Sequence, residues 1–177
     1  MPLLVFVRHA DKKYKNGKGK PLHDSPIRDN QERQIRNLTS ALKKYKPKTI
    51  ISSPYRRTRD TSRIMAYFLQ SNKHLIPIKY DNLLSEYLGW QRPRYAEAKL
   101  YRETREYIQP LLGIESLTQA KDRIVEFYKK VEKKEDSILI VTHGILLNFL
   151  YHHLTGKNIT FDNLKGFVIN DDNISLL

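Results

Sequence analysis

Short uninterrupted apolar runs and longer amphipathic stretches alternate along the chain. Residues 3–7 form an apolar run with no polar interruption, and the stretch 137–142 holds another. Runs of this kind are typical of strands buried on both faces of a sheet. Shorter strand-like stretches lie at residues 48–52, 75–80, 167–169 and 174–177. Pro77 favours an edge position for its strand, since proline cannot donate a hydrogen bond to a central ladder.

The amphipathic stretches between these runs predict helices. Asp29 and Glu32 have the spacing of a capping box, which predicts a helix from about residue 29. Ser116 and Gln119 repeat this pattern before another helix. Apolar residues at helical spacing also follow the second strand-like stretch and the second apolar run, and Gly156 can close the last of these helices.

The alternation of strands and helices predicts an α/β fold. We expect a three-layer sandwich, in which a mostly parallel sheet carries helices on both faces. The length fits a single domain over residues 1–177. Residues 91–115 show no clear periodicity, and we interpret them as a lid or specificity segment, or alternatively as a packed connector.

The chain is strongly basic, with 32 lysines and arginines against 19 acidic residues and a net charge of +13. This charge indicates a solvated basic surface or the attraction of anionic substrates. The basic residues are spread along the chain without a basic helix, which argues against a nucleic-acid partner. The densest cluster consists of Lys12, Lys13, Lys15, Lys18 and Lys20, and it suggests a preference for multiply charged substrates.

The composition also excludes several classes of protein. There is no cysteine, which rules out disulfides, thiolate metal sites and a cysteine nucleophile. No apolar run approaches the ~18 residues that span a bilayer. The first residues show no basic leader or cleavage site, so we expect a cytoplasmic location. Nothing in the sequence indicates an oligomeric state.

The chemistry is concentrated where the two apolar runs end. The first run leads into Arg8 and His9, and the second leads into His143. If the two strands are parallel neighbours, their carboxyl ends bring both histidines to the edge where α/β sheets bind ligands. Arg57, near the start of a helix, adds a second guanidinium suited to phosphate oxygens. This set indicates phosphoryl transfer through a phosphohistidine, with Glu86 available to protonate the leaving oxygen.

Four motifs in order resemble those of the histidine phosphatase superfamily, the phosphoglycerate mutase-like family. The likeness extends from residue 3 to about residue 170. The motifs appear here as Arg8-His9-Ala10, Ser52-Ser53-Pro54-Tyr55-Arg56-Arg57, Leu84-Ser85-Glu86 with Gly89-Trp90, and Val141-Thr142-His143-Gly144. Each motif is weak alone, but all four in order form a specific signal.

The resemblance implies a role for each matching residue. His9 would be the nucleophile that becomes phosphorylated. Arg8, Arg57 and His143 would bind the phosphoryl group, with help from the backbone N–H of Gly144. Glu86 would be the proton donor to the leaving group. The resemblance implies no metal and no organic cofactor.

Some positions depart from the family pattern. Ala10 replaces the usual glycine, and Asp11-Lys12 stands where Glu-Thr or Glu-Ser is common. Thr58 and Asp60 replace the common alanine and glutamine. These departures leave the core chemistry intact and concern the choice of substrate.

The sequence therefore predicts a metal-independent phosphomonoester hydrolase that acts on a small phosphorylated substrate or a phosphoprotein. One alternative is a cofactor-dependent phosphoglycerate mutase, although mutases tend to be longer than this chain. Another is a phosphate-binding or phosphoprotein-binding module without catalysis.

Overall fold

The structure of the protein, a computed structural model, describes residues 3–13, 25–70, 75–87, 115–171 and 173–177. The predicted lid or specificity segment at 91–115 lies outside the described residues, apart from Glu115. So do Lys15, Lys18 and Lys20 of the basic cluster.

Strands and helices alternate along the described chain. The strands are β1 (Leu4–Arg8), β2 (Thr49–Ser52), β3 (Ile78–Tyr80), β4 (Ile138–Thr142), β5 (Gly166–Asn170) and β6 (Asn173–Leu176). The α-helices are α1 (Glu32–Leu42), α2 (Arg56–Leu69), α3 (Leu117–Val131) and α4 (Gly144–Thr155). Short 3-10 turns occupy Lys43–Tyr45 and Asn82–Leu84.

The six described strands form one sheet in the order β3-β2-β4-β1-β5-β6. The pairings β3-β2, β2-β4 and β4-β1 are parallel, whereas the pairings β1-β5 and β5-β6 are antiparallel. The sheet is therefore mostly parallel, as predicted. Strand β3, which directly follows Pro77, lies at one edge of the sheet. The two apolar runs of the sequence, β1 and β4, are adjacent at the centre.

Helices cover both faces of this sheet, which confirms the predicted layers. On one face, Ile35 of α1 and Met65 of α2 belong to the same core cluster as Val5 of β1. On the other face, Phe127 of α3 and Leu150 of α4 pack with the core residues of β1 and β4. None of the helices in the described ranges is long and apolar enough to cross a membrane.

The ends of the helices test the predicted capping residues. Ser116 and Gln119 form a reciprocal capping box at the start of α3, and Gly156 ends α4 in the left-handed conformation. The prediction for α1 was wrong, because this helix begins at Glu32 after Gln31 and has no side-chain cap. Asp29 instead forms a 2.7 Å ion pair with Lys13, which takes its carboxylate away from the helix end.

Gly166 allows β5 to approach β1 closely. It pairs with Val7, and a Cβ at this position would overlap the carbonyl oxygen of Phe6. The overlapped atom belongs to the backbone of a central strand, so a side chain could fit only if the strands moved apart.

We predict that Gly166→Ala lowers the free energy of unfolding by about 2–3 kcal/mol, at the upper end of the range for overpacking. Urea denaturation followed by circular dichroism measures this loss. Gly156→Ala is the matched control, because its Cβ would meet open space and only the positive φ of 70° is unfavourable. We expect that control to lose about 1 kcal/mol. Equal losses for the two variants would contradict the close approach at Gly166.

Candidate active site

The sheet brings the predicted site residues together. His9 and His143 directly follow the paired strands β1 and β4, and their ring centroids are 5.2 Å apart. Arg57 lies in the first turn of α2, and Glu86 follows the 3-10 turn after β3. Arg8, at the end of β1, lines the same cavity as His9, Glu86 and the start of α4.

The neighbours of His9 define its tautomer. Nδ1 lies 2.7 Å from the carbonyl oxygen of Ala10, which can only accept, so Nδ1 carries the proton. Nε2 lies 3.2 Å from Nε of Arg57, which can only donate, so Nε2 presents a lone pair. The buried imidazole is thus held as a neutral base whose lone pair faces a guanidinium.

Arg57 is a completely buried cation at the centre of the site. Its Nε donates to His9, and its Nη2 donates to Oε2 of Glu86 at 3.2 Å. Its guanidinium carbon also lies 4.7 Å from the ring centroid of Tyr55, in a cation–π contact. Its Nη1 has no hydrogen-bond partner in the described part of the chain, which leaves a donor for an anion.

Arg8 is held over the start of α4. Its Nη1 donates to the carbonyl oxygen of Phe161 at 2.6 Å. Its side chain lies so close to Gly144 that a Cβ there would be 3.2 Å from Nε of Arg8. The glycine therefore gives the guanidinium room beside the free N–H groups of the helix, where anions are favoured.

His143 is buried and is held between Ser53 and Glu86. Its Nε2 forms a 2.9 Å hydrogen bond with Oγ of Ser53, and its Nδ1 lies 3.2 Å from Oε2 of Glu86. The edge of the Tyr55 ring packs against it at 5.4 Å between centroids. Ser53 was not predicted as a site residue, although it lies within the second motif.

The substituted residue Ala10 fits the site without strain. It is fully buried, and its N–H donates to Oγ1 of Thr61 at 3.1 Å. Its φ is not positive, so the backbone there does not require glycine. The hydrogen bond ties the segment after β1 to helix α2, which also carries Arg57.

Burial keeps both imidazoles neutral. Burial, and then the proximity of His143, holds the pKa of His9 well below its ordinary value of 6.5. Burial also lowers the pKa of His143, although the adjacent Glu86 carboxylate acts in the opposite direction. At neutral pH the site therefore offers two neutral imidazoles beside two guanidiniums.

Glu86 is held in its ionised form in this structure. Burial raises the pKa of Glu86, but interactions with His143 and Arg57 outweigh it and hold that pKa well below its usual range. The carboxylate accepts from Arg57 with Oε2, whereas its buried Oε1 has no partner among the described residues.

The site opens into a small cavity of about 210 Å³. This volume lies below the range of about 300–1,000 Å³ typical of pockets for drug-sized ligands. Asn148 of α4, Asn163 and Lys12 also line it. Sequence reasoning did not identify the two asparagines, because neither belongs to a recognised motif.

The residues His9, Glu86 and His143 are also a candidate metal-binding set, since their ligand atoms lie within 4.8 Å of one another. Arg57 argues against a cation at this position. Its guanidinium donates to both His9 and Glu86, so a metal ion would have to displace a buried positive charge from its own ligands. The arrangement suits an anion better than a cation.

Comparison with known proteins identifies the family of the chain. The sequence model of the histidine phosphatase superfamily (branch 1) matches residues 4–176. A search of curated proteins found no match. The chain belongs to the histidine phosphatase superfamily, and this membership supports a phosphatase-type activity toward a phosphorylated substrate.

Solved structures with low sequence identity share the fold. YhfR of Bacillus stearothermophilus is 19% identical, with a TM-score of 0.71 over 99% of this chain and 95% of that one. A mycobacterial glucosyl-3-phosphoglycerate phosphatase is 18% identical, with a TM-score of 0.66 over 94% and 89%. A phosphoglycerate mutase from Bacillus anthracis is 16% identical, with a TM-score of 0.70 over 99% and 91%. At these identities the likeness establishes the fold alone.

We predict that the imidazole of His9 becomes protonated only below pH 6.5. Its pKa in the folded protein is depressed, so the neutral form dominates above that pKa and is lost as the pH falls through it. Nuclear magnetic resonance of the imidazole nitrogens, followed as a function of pH, measures the midpoint.

Two variants serve as a test and a control for this titration. Glu86→Gln should move the midpoints of His9 and His143 further down, because the carboxylate raises both pKa values. Glu126→Gln removes an exposed carboxylate of α3 and should move neither. A wild-type midpoint for His9 at or above pH 6.5 would contradict the assignment.

Proposed function

We propose that the protein is a metal-independent phosphomonoester hydrolase with His9 as its nucleophile. The observation that carries this proposal is the orientation of His9. The Ala10 carbonyl fixes the proton on Nδ1, so the lone pair of Nε2 lies beside the Arg57 guanidinium. A phosphoryl group bound by that guanidinium would be in contact with the lone pair.

The proposed reaction has two steps. In the first, Nε2 of His9 attacks phosphorus, the N–P bond forms, and the bond to the leaving oxygen breaks as that oxygen takes a proton from Glu86. In the second, water attacks phosphorus while Glu86 accepts its proton. The N–P bond breaks, inorganic phosphate leaves, and neutral His9 is restored.

The charged groups favour the transferring phosphoryl group. Arg57 has an unused Nη1, and Arg8 has an Nε without a partner among the described residues. Both guanidiniums can bind equatorial oxygens in a buried site, where the electrostatic attraction is stronger than in water. The N–H of Gly144, at the start of α4, adds a donor at a helix end.

Glu86 can act as an acid only if substrate binding raises its pKa. In the unliganded site, Arg57 and His143 stabilise its carboxylate. A phosphoryl dianion would engage Arg57 and repel the carboxylate at the same time, and both effects favour protonation. Glu86 is therefore proposed to take up its proton when the substrate enters.

The small cavity favours a small phosphorylated compound over a folded phosphoprotein. Its volume of about 210 Å³ accommodates a phosphoryl group with a short leaving group. A phosphoglycerate mutase and a non-catalytic binding module remain the alternatives. A mutase would transfer the phosphoryl group back to substrate without releasing phosphate, and a binding module would not turn over.

We predict that His9→Ala lowers phosphate release from a panel of small phosphomonoesters by at least about 10³-fold, since the nucleophile is lost. The assay is run in excess EDTA, and the wild type should keep its rate there. His152→Ala, which removes an exposed histidine of α4, is the control and should be unaffected. The wild type should also yield an alkali-stable, acid-labile phosphoenzyme that His9→Ala lacks. Phosphate release by His9→Ala at the wild-type rate would refute the proposal.

We predict that Glu86→Gln slows the hydrolysis of alkyl phosphates more than the hydrolysis of aryl phosphates. An alkoxide leaves poorly without a proton, so the loss should be about 10²-fold or more for glycerol phosphate. p-Nitrophenolate leaves without protonation, so the rate of hydrolysis of p-nitrophenyl phosphate should fall by about 10-fold or less. Single-turnover kinetics measures both values, with Glu126→Gln as the control. Equal losses for the two esters would exclude Glu86 as the proton donor.

A further inference from the structure

The backbone that carries Glu86 belongs to neither a helix nor a strand. Glu86 follows Ser85 and the 3-10 turn Asn82–Leu84. Backbone carbonyl groups in such a segment have no ladder partners, so they bond to side chains or to water. The side chains that supply these bonds determine where the Glu86 carboxylate is held.

Side chains from two other elements bind the carbonyl groups of residues 83–85, directly before Glu86. Nη1 of Arg123, on α3, donates to the first of these carbonyl oxygens at 2.5 Å and to the third at 2.9 Å. The second accepts from Oγ1 of Thr142 at 2.9 Å. Thr142 ends β4 and directly precedes His143, so this segment is fastened to the site on one side and to α3 on the other.

The guanidinium of Arg123 is itself held in one orientation. Its Nε and Nη2 donate to the two carboxylate oxygens of Glu115 at 2.6 and 2.7 Å. Four of its five N–H groups therefore have partners, in the rigid fork geometry of arginine. Only 17% of the Arg123 side chain and 23% of the Glu115 side chain are exposed. A pair so protected from water holds its geometry better than a surface ion pair.

A second ion pair joins α3 to the same part of the chain. Nζ of Lys130 lies 2.7 Å from Oδ2 of Asp81, and Oδ1 of Asp81 accepts from the N–H of Leu83. Lys130 lies about two helical turns after Arg123, so one side of α3 carries both contacts. The Lys130 side chain is 59% exposed, and an ion pair at such a position contributes little. Arg123 is therefore the stronger of the two contacts.

Arg123 acts on Glu86 through position rather than through charge. Its charge is balanced by the carboxylate of Glu115. The pKa of Glu86 is lowered mainly by the two imidazoles of the site and by the Arg57 guanidinium. What Arg123 supplies to the site is the place of the backbone from which the Glu86 side chain extends.

We propose that Arg123 is a positioning residue that fixes the backbone before Glu86 and so keeps its carboxyl group within reach of the leaving oxygen. The inference rests on the proposed function, since it takes Glu86 to be the proton donor. A misplacement of about 1 Å at a reacting group can cost on the order of 10²-fold in rate. Leu84 and Tyr87 lie in the apolar core on either side of this backbone, so loss of Arg123 should loosen the segment without unfolding the protein.

Single-turnover kinetics separates positioning from a general loss of structure. Arg123→Met should slow the hydrolysis of glycerol phosphate by about 10-fold or more, because this ester needs a proton from Glu86. The hydrolysis of p-nitrophenyl phosphate should slow by about 3-fold or less. Arg123→Lys, which can still donate to a carbonyl group, should fall between Arg123→Met and the wild type, and it serves as the second variant if Arg123→Met does not fold. Lys129→Met, which removes an exposed cation of α3, should change neither rate.

A double variant tests whether the effect of Arg123 passes through Glu86. In the Glu86→Gln background, Arg123→Met should leave the ratio of the two rates unchanged, because the carboxyl group that Arg123 positions is already absent.

Titration of His143 tests the same contact without turnover. The carboxylate of Glu86 raises the pKa of His143, so its displacement in Arg123→Met should lower the midpoint measured by nuclear magnetic resonance. Loss of the Arg123 charge, which leaves the Glu115 carboxylate uncompensated, would by itself raise that midpoint. The two explanations therefore predict shifts of opposite sign.

Equal losses for the two esters in Arg123→Met would overturn the proposal, and so would an unchanged or raised midpoint for His143. A selective loss for glycerol phosphate that persists in the Glu86→Gln background would also overturn it. If the wild type releases phosphate from neither ester, the hydrolase function fails and the titration decides. A lowered midpoint would then still support the positioning of Glu86 by Arg123, and an unchanged one would refute it.

Discussion

The parallel pairing of β1 with β4 is the constraint on which the site depends. Its register places Arg8 opposite Thr142, and the N–H of His9 donates to the Thr142 carbonyl at 3.0 Å. A slip of one residue would turn each side chain of β1 to the other face of the sheet and separate His9 from His143. Because both faces are apolar, hydrophobicity alone does not forbid such a slip. On the other side of β1, Gly166 allows β5 to approach closely, since the β1 backbone occupies the space where its side chain would be.

The buried guanidinium of Arg57 is the second feature on which the site depends. Removing a guanidinium from water costs several kcal/mol even after the protein relaxes. Glu86 and the lone pair of His9 offset part of that cost in the unliganded protein. The burial of the apolar core during folding offsets the remaining desolvation cost. The donors of Arg57 are therefore already desolvated and oriented before an anion binds. Preorganisation of this kind favours charge that develops during reaction.

The fold class and the clustering of the motif residues could be predicted from sequence, because most motif residues lie at the end of a strand or at the start of a helix. Contacts between distant backbone or side-chain atoms leave no such local pattern. Ser53 meets His143 across 90 positions, and Arg8 meets the Phe161 carbonyl across 153. The cap predicted at Asp29 was wrong for a related reason, since an ion pair with Lys13, 16 positions earlier, competes for its carboxylate.

The proposed reacting groups and Lys12 are held in place by different parts of the structure. The reacting groups follow central strands, and Ala10 is locked to α2 through Thr61, so their geometry is fixed by the core. The backbone of Lys12, two residues further on, forms a bridge to Ile27 and a hydrogen bond to the side chain of Asp11. A substitution at Lys12 can therefore change the charge of the cavity wall without moving the strand ends. This separation allows Lys12 to depart from the family pattern while the residues proposed to bind the phosphoryl group stay unchanged.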